Sequence, residues 1–146
     1  MTKKVLVTGG AGYIGSHVVR HLGEAGYDVI VYDNCSTGSA DSILYGELIL
    51  GDLADTERLY QVCSQNQFSA VLHFAASLIV PESVARPLDY YSNNTRNTLN
   101  LLQCCRIAGI NKIIFSSTAA VYGEPEKVPV TESTPTNPIN PYGRSK

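Results

Sequence analysis

Three regularly spaced glycines are the first pattern in this chain that could do chemistry. Gly9, Gly12 and Gly15 follow a short apolar run at residues 5–7 and open a stretch with helical periodicity. Glycine lets the backbone approach a pyrophosphate closely, and the start of a helix offers free N–H groups and a positive dipole end. In this strand–turn–helix context the glycines predict a dinucleotide-binding turn. The alternative is a plain tight turn that lets a helix pack closely on a strand.

An acidic residue, Asp33, ends the second predicted strand. A carboxylate at this place can accept hydrogen bonds from both hydroxyls of an adenosine ribose, and it would repel a 2′-phosphate. Residues 34–57 contain no Arg or Lys that could bind such a phosphate. The pattern therefore favours NAD over NADP, with a turn aspartate that binds no ligand as the alternative.

Two further strand ends carry residues that could line the same site. Asp52 and Leu53 follow the third predicted strand, where the carboxylate could accept from an adenine amino group and the leucine could pack on the ring. The alternative for Asp52 is a cap on the next helix. Ala75 and Ala76, at the end of the fourth strand, are small enough to let the backbone approach a cofactor. His73 lies on that apolar strand, and a core histidine is the favoured interpretation.

A hydroxyl, a phenol and an amine follow in the last third of the chain. Thr118 ends the fifth predicted strand, and Tyr142 and Lys146 lie one helical turn apart, which places them on one helix face. A phenol alone is a poor base at neutral pH, but a neighbouring ammonium and a positive nicotinamide would stabilise its phenolate form. These three groups could remove a proton from a sugar hydroxyl while a hydride leaves the same carbon.

The elements that must position these residues alternate between strands and helices. We predict strands at residues 4–8, 28–33, 47–51, 70–74 and 112–117, and helices at 12–25, 55–65, 87–108 and from Pro141 onward. This alternation predicts an α/β fold, a doubly wound parallel sheet of Rossmann type with strand order 3-2-1-4-5. The third helix carries apolar side chains near one stripe, at Leu88, Tyr91, Thr95, Leu99 and Leu102.

Composition narrows the possible partners. The 146 residues are 44% hydrophobic and 16% charged, which excludes a disordered chain, and a net charge of -2 gives no electrostatic footprint for nucleic acid or for a membrane surface. The apolar runs are too short for a membrane span. The four cysteines show neither a CxxC motif nor a metal-type spacing, so we expect no metal site and a reducing, cytoplasmic compartment.

Taken together, these segments resemble the extended short-chain dehydrogenase/reductase family, and within it the NAD-dependent sugar-nucleotide epimerases. The stretches that carry the resemblance are residues 5–17, 32–34, 73–76, 82–84, 87–88, 90–94, 116–123 and 142–146. The resemblance implies that Tyr142 is the base, that Lys146 is its electrostatic partner and that Thr118 stands where many members carry Ser. The NAD contacts that it implies are Gly9, Gly12, Tyr13, Ile14 and Gly15 at the pyrophosphate, Asp33 and Asn34 at the adenosine end, Asp52 and Leu53 at the adenine, and Phe74, Ala75, Ala76 and Asn93, together with Tyr142 and Lys146.

The residues after Thr118 discriminate within the family. Related dehydratases carry an Asp-Glu pair there, and related decarboxylases carry Ser-Glu, whereas this chain has Ala119-Ala120. Alanine cannot do acid–base chemistry, so elimination is disfavoured. The resemblance then implies 4-epimerisation of a UDP-sugar through a transient 4-keto intermediate, with a UDP-sugar substrate and a homodimer as expected partners. The sequence leaves open which UDP-sugar is used.

The end of the sequence adds one expectation. Residues 140–146 look like the first turn of a helix, and members of the family continue well beyond this point. We therefore expect residues 1–146 to be an incomplete NAD-binding domain that ends after the fifth strand, without the C-terminal domain that holds the substrate. Two alternatives stay open: an NAD-binding module without turnover, and another NAD-dependent sugar-nucleotide epimerase.

Overall fold

The computed structural model describes residues 3–146. Within them, five parallel strands form one sheet in the order β3-β2-β1-β4-β5, which confirms the predicted fold and strand order. The strands are β1 (Lys4–Thr8), β2 (Asp28–Asp33), β3 (Glu47–Leu50), β4 (Ala70–His73) and β5 (Ile113–Phe115). Because all strands run in one direction, their carboxyl ends share one edge of the sheet, where ligands of this fold bind.

Helices connect the strands and continue after them. They are α1 (Tyr13–Glu24), α2 (Thr56–Gln65), α3 (Val80–Ala85), α4 (Pro87–Tyr90), a π-helical segment (Tyr91–Arg96), α5 (Asn97–Ile107) and α6 (Pro141–Ser145). Short 3₁₀ turns occur at Ala40–Ser42 and Ala119–Tyr122. The sequence did not predict α3 or the π-helical segment. Among residues 3–146, no helix has the length and apolar character needed to cross a membrane.

The chain divides into two compact units. We call the first the sheet unit; it runs up to Ala75 and also includes Thr98–Ser116. We call the second the tyrosine unit; it comprises Ala76–Asn97 and Ser117–Lys146. The glycine turn and Asp33 belong to the sheet unit, whereas Thr118, Tyr142 and Lys146 belong to the tyrosine unit.

The core of the sheet unit has two layers because side chains alternate along each strand. Leu6, Ile30 and Val71 point to one face and pack with buried residues of α2 and α5. Val7, Val31 and Leu72 join a second cluster, which includes Val19 of α1. Helices therefore cover both faces of the sheet, as a doubly wound parallel sheet requires.

The predicted apolar stripe on the third helix does not form its buried face. Leu88, Tyr91, Leu99 and Leu102 are 80%, 37%, 53% and 43% exposed. The buried stripe keeps a helical spacing but is displaced along the chain from the predicted one. It includes the polar residues Asn94 and Asn97, so apolar character alone did not mark the buried face. The buried positions of this helical run are instead Tyr90, Asn94, Asn97, Leu101, Cys104 and Cys105.

Candidate functional site

The glycine turn joins β1 to α1 in the sheet unit. Gly9 has a φ of +74°, and its N–H donates to the Tyr32 carbonyl over 3.1 Å. Gly12 is the N-cap of α1 and offers no side chain to the helix. The N–H groups of Tyr13, Ile14 and Gly15 are the first three of the helix, where no intrahelical acceptor exists. The turn therefore presents donors and a positive dipole end to any anion at this place.

The three positions in this turn differ in whether the packing of the chain requires glycine there. A Cβ at Gly9 would overlap with the backbone of Ala75, and a Cβ at Gly15 would overlap with the carbonyl oxygen of Gly9. Among the described residues, a Cβ at Gly12 would contact only the Gly9 carbonyl oxygen, at an ordinary distance of 3.4 Å. The φ of Gly12 is -78°, a value that any residue can adopt. Close packing of the chain thus explains Gly9 and Gly15 but not Gly12. A ligand that approaches the backbone would explain Gly12.

Asp33 ties the end of β2 to this turn. Its Oδ2 accepts a hydrogen bond of 2.9 Å from the Ala11 N–H, and its Oδ1 accepts one of 2.8 Å from the Cys35 N–H. A carboxylate oxygen has two lone pairs, so each oxygen can still accept a hydroxyl. The half-buried Asp33 therefore organises the turn and can hold a ribose at the same time.

Asn34 and Asp52 join the ends of β2 and β3. The Asn34 amide donates to Asp52 Oδ2 over 2.7 Å, and Asp52 Oδ1 accepts a bond of 2.8 Å from the Ala54 N–H. The cap of α2 is Asp55, not Asp52, since Asp55 accepts from the Arg58 N–H. Leu53 is only 7% exposed and belongs to the core, so little of its side chain is available to a ring.

The end of β4 lies against Gly9. The N–H groups of Phe74 and Ala75 both donate to the Thr8 carbonyl, over 2.8 and 3.2 Å. His73 is 2% exposed, and its two ring nitrogens are hydrogen-bonded to the Thr8 and Thr98 hydroxyls at 2.6 and 2.8 Å. The interpretation of His73 as a hydrogen-bonded core residue is confirmed. Phe74 and Ala75 remain half-buried beside the glycine turn.

The tyrosine unit carries the remaining predicted residues. Thr118 is the N-cap of the 3₁₀ turn Ala119–Tyr122, and its hydroxyl accepts from the Ala120 N–H over 3.2 Å. The Asn93 amide donates to the Ser77 hydroxyl over 2.9 Å. Ala76 is half-buried in the same unit.

Helix α6 rests directly on the turn that Thr118 begins. Asn140 caps the helix by accepting from the Gly143 N–H over 2.8 Å. A Cβ at Gly143 would lie 2.6 Å from the Ala120 carbonyl oxygen, so only glycine permits this approach. The structure thereby brings the segments of Thr118 and Tyr142 together, as the chemistry inferred from the sequence requires.

Lys146 follows α6, one helical turn after Tyr142. Burial lowers the pKa of Lys146 to about 8, because taking the ammonium partly out of water disfavours its charged form. An electrostatic role as an ammonium is therefore strongest below this pH.

Sequence reasoning missed three buried polar residues around α6. They are Ser83, Asn94 and Ser145, which are 0%, 2% and 6% exposed. Serine and asparagine are common in loops and at caps, so nothing in their spacing indicated burial. Ser83 lies in α3, a short helix that the sequence did not predict. Such a helix has no clear hydrophobic period that could have indicated the burial of Ser83.

Comparisons with known proteins extend this description. Residues 5–146 match the model of the NAD dependent epimerase/dehydratase family. A UDP-glucose 4-epimerase of Azospirillum brasilense is 55% identical over 144 residues, which are 98% of this chain and 41% of that protein. The crystal structure of UDP-glucose 4-epimerase from Brucella ovis in complex with NAD superposes with a TM-score of 0.96 at 46% identity, covering 99% of this chain and 44% of the other. A UDP-Glc/GlcNAc 4-epimerase from Campylobacter jejuni gives a TM-score of 0.95 at 47% identity, covering 99% and 46%. The chain thus spans less than half the length of these relatives.

Proposed function

The chain belongs to the NAD-dependent epimerase/dehydratase family, and on that premise we propose that it is the NAD-binding, N-terminal part of a UDP-sugar 4-epimerase. The reaction would interconvert UDP-glucose and UDP-galactose through a transient 4-keto sugar. The observation that carries the proposal is Gly12. The packing of the chain does not require glycine at this position, whereas a ligand that approaches the backbone would.

The residues of the sheet unit fit NAD. The free N–H groups of Tyr13, Ile14 and Gly15 would hold the pyrophosphate, and Asp33 would accept from the ribose hydroxyls. Asn34 and Asp52, already hydrogen-bonded to each other, would border the adenine side together with Leu53. Phe74 and Ala75 would line the site next to Gly9. Ala76 and Asn93, in the tyrosine unit, remain predicted NAD contacts.

The residues of the tyrosine unit fit proton transfer. The Tyr142 phenolate would take the proton from the sugar 4-hydroxyl and later return it. Lys146 would stabilise this phenolate by its positive charge, and the Thr118 hydroxyl would hold the substrate oxygen. When bound, NAD would supply the hydride acceptor for the sugar and, in its reduced form, the hydride donor.

Epimerisation is favoured over elimination by the turn after Thr118. Ala119 and Ala120 form the start of a 3₁₀ turn and bring no acid or base to the site. Removal of water from the sugar would need such a group, whereas returning the hydride to the other face of the 4-keto sugar would not.

The test is conversion of UDP-galactose to UDP-glucose, measured with two polypeptides. One is the 146-residue chain, and the other is the complete protein, by which we mean the longest product of the reading frame that carries this sequence. We expect the complete protein to convert the sugar, and the 146-residue chain to bind NAD without turnover. Absence of conversion by the complete protein would overturn the proposal. A preference for UDP-N-acetylgalactosamine or for a UDP-pentose would identify a different sugar-nucleotide epimerase.

We further propose a homodimer and a cytoplasmic location. Exposed apolar side chains on the helical run support the dimer, with Leu88 and Tyr91 in the tyrosine unit and Leu99 and Leu102 in the sheet unit. Sedimentation of Leu99→Glu and Leu102→Glu variants tests it, since each variant should shift a dimer towards monomer. The four free thiols support a reducing compartment.

A further inference from the structure

The first N–H groups of any helix have no acceptor within the helix. Tyr142 lies in this first turn of α6. The N-cap of α6, Asn140, bonds to the Gly143 N–H and leaves the peptide groups of Tyr142 to other partners. The N–H of Tyr142 therefore needs an acceptor outside the helix.

The first such group is Ser83 in α3. Its side chain is fully buried, and its hydroxyl donates to the Val80 carbonyl over 2.7 Å. The same oxygen accepts a hydrogen bond of 3.1 Å from the Tyr142 N–H. Tyr142 is the second residue of α6, where an N–H has no acceptor within the helix. Ser83 thus supplies the acceptor that the helix lacks.

The second group is the pair Asn94 and Ser145. The Ser145 hydroxyl donates to the Tyr142 carbonyl over 2.8 Å, and it accepts from the Asn94 amide over 2.9 Å. Asn94 is anchored in turn, since its amide oxygen accepts from the Ser77 N–H and its amide nitrogen donates to the Ser77 carbonyl. Asn94 lies in the π-helical segment, a distortion that often occurs at functional sites.

The tyrosine ring has a contact of its own. Tyr90 is 2% exposed and meets the Tyr142 ring edge-on, with the centroids 6.4 Å apart. The Tyr90 hydroxyl also accepts from the Ile79 N–H over 2.9 Å, at the start of the helix that carries Ser83. The groups around Tyr142 are therefore linked to one another within the tyrosine unit.

We propose that Ser83 and the Asn94–Ser145 pair form a clamp on both peptide groups of Tyr142, and that this clamp aims the phenol at the reacting hydroxyl. They are positioning residues, because they act through Tyr142. The inference rests on the proposed function, in which Tyr142 is the base.

The most direct test needs no variant. Tyr142 and Ile14 are both the second residue of their helices, and α1 has no side-chain cap. Hydrogen exchange of the two amides, followed by NMR in the 146-residue chain, compares a clamped N–H with a free one. We expect the Tyr142 amide to exchange at least about tenfold more slowly. Equal rates, or faster exchange at Tyr142, would overturn the clamp.

A second test separates positioning from general loss of structure. In the complete protein, Ser83→Ala and Ser145→Ala should each lower kcat by about 10²-fold, the typical cost of misplacing a reacting group by about 1 Å. KM should stay within about twofold, because the sugar contacts are not touched. Ser64→Ala is the matched control, since Ser64 also donates to a carbonyl of its own helix but contacts no catalytic segment. An unchanged kcat in both clamp variants would contradict the inference.

Failure of the clamp and failure of the proposed function give different results. If the complete protein does not turn over UDP-galactose, the function is wrong while the exchange experiment still decides the clamp. If Tyr142→Phe abolishes turnover but Ser83→Ala and Ser145→Ala do not lower it, only the clamp is wrong.

Discussion

The two units position their functional groups by different physical means. In the sheet unit the groups are backbone N–H donors, placed by the sheet and by overlaps that only glycine avoids at Gly9 and Gly15. In the tyrosine unit they are side chains. Buried residues position them through hydrogen bonds: Ser83 accepts from the Tyr142 N–H, and Asn94 donates to the Ser145 hydroxyl. The glycine turn is therefore sensitive to added atoms, and the hydrogen bonds around Tyr142 are sensitive to removed ones. Substitutions at these two places test the difference.

The largest effect is expected from removing one oxygen in the tyrosine unit. Tyr142→Phe keeps the ring against Tyr90 but deletes the proton acceptor, so kcat for UDP-galactose should fall by about 10³-fold. Steady-state assays of the complete protein measure this fall. Tyr60→Phe on α2 is the control and should leave turnover unchanged. Retention of most activity by Tyr142→Phe would remove Tyr142 from the role of base.

The next effect comes from adding one carbon in the sheet unit. Gly15→Ala places a methyl group on the Gly9 carbonyl oxygen, so the free energy of unfolding should fall by about 2–3 kcal/mol. Urea denaturation followed by circular dichroism measures it. Gly12→Ala is the matched control, with an expected change within about 0.5 kcal/mol. Similar losses for both variants would mean that the glycines are required by packing alone.

A smaller effect is expected at Asp33. Asp33→Ala removes the acceptor for the Ala11 and Cys35 N–H groups and for the ribose, so NAD should bind about 10–100-fold more weakly. Asp33→Asn keeps an acceptor but loses the charge that repels a 2′-phosphate, so it should reduce the preference for NAD over NADP by about tenfold. Titration calorimetry with both nucleotides measures these changes. An unaltered preference in Asp33→Asn would assign the discrimination to another residue.

The smallest effect concerns the pH dependence of stability. The pKa of Lys146 is about 8 in the folded chain and near 10.5 in the unfolded one, so the unfolded state binds more protons between these values. Stability from this residue therefore rises with pH across that window. We compare the free energy of unfolding of the wild type with that of Lys146→Met. The difference, wild type minus variant, should increase by about 1 kcal/mol from pH 8 to pH 10.5, which is less than the full pKa shift would give because Lys146 is partly exposed to solvent. A flat difference would show that Lys146 titrates normally.

The same contrast explains what the sequence could predict. Strands β1 and β2 and the strand order were predicted correctly, because buried parallel strands read as short apolar runs bounded by glycine and acidic residues. The glycine turn followed from its local spacing. Helix α6 was also predicted, since Pro141 follows the capping Asn140.

The clamp in the tyrosine unit could not be predicted in this way. Ser83 and Tyr142 are far apart in the chain, and their hydrogen bond depends on a short helix, α3, that shows no clear period. The exposed stripe at Leu99 and Leu102 was misread because the buried stripe of this helical run carries polar residues, Asn94 and Asn97, where the pattern assumed apolar ones. Both the hydrogen bond of Ser83 and the buried face of the helical run depend on tertiary contacts, which the local sequence pattern does not contain.

The measurement that tests the account most directly is NAD binding by Gly12→Ala. The structure leaves room for a methyl group at this position, and our proposal assigns that room to the cofactor. Titration calorimetry of the 146-residue chain should show at least about tenfold weaker NAD binding than the wild type, with an unchanged free energy of unfolding. Equal affinity for NAD in the two proteins, or no NAD binding by the wild type, would contradict the claim that this turn is a dinucleotide site.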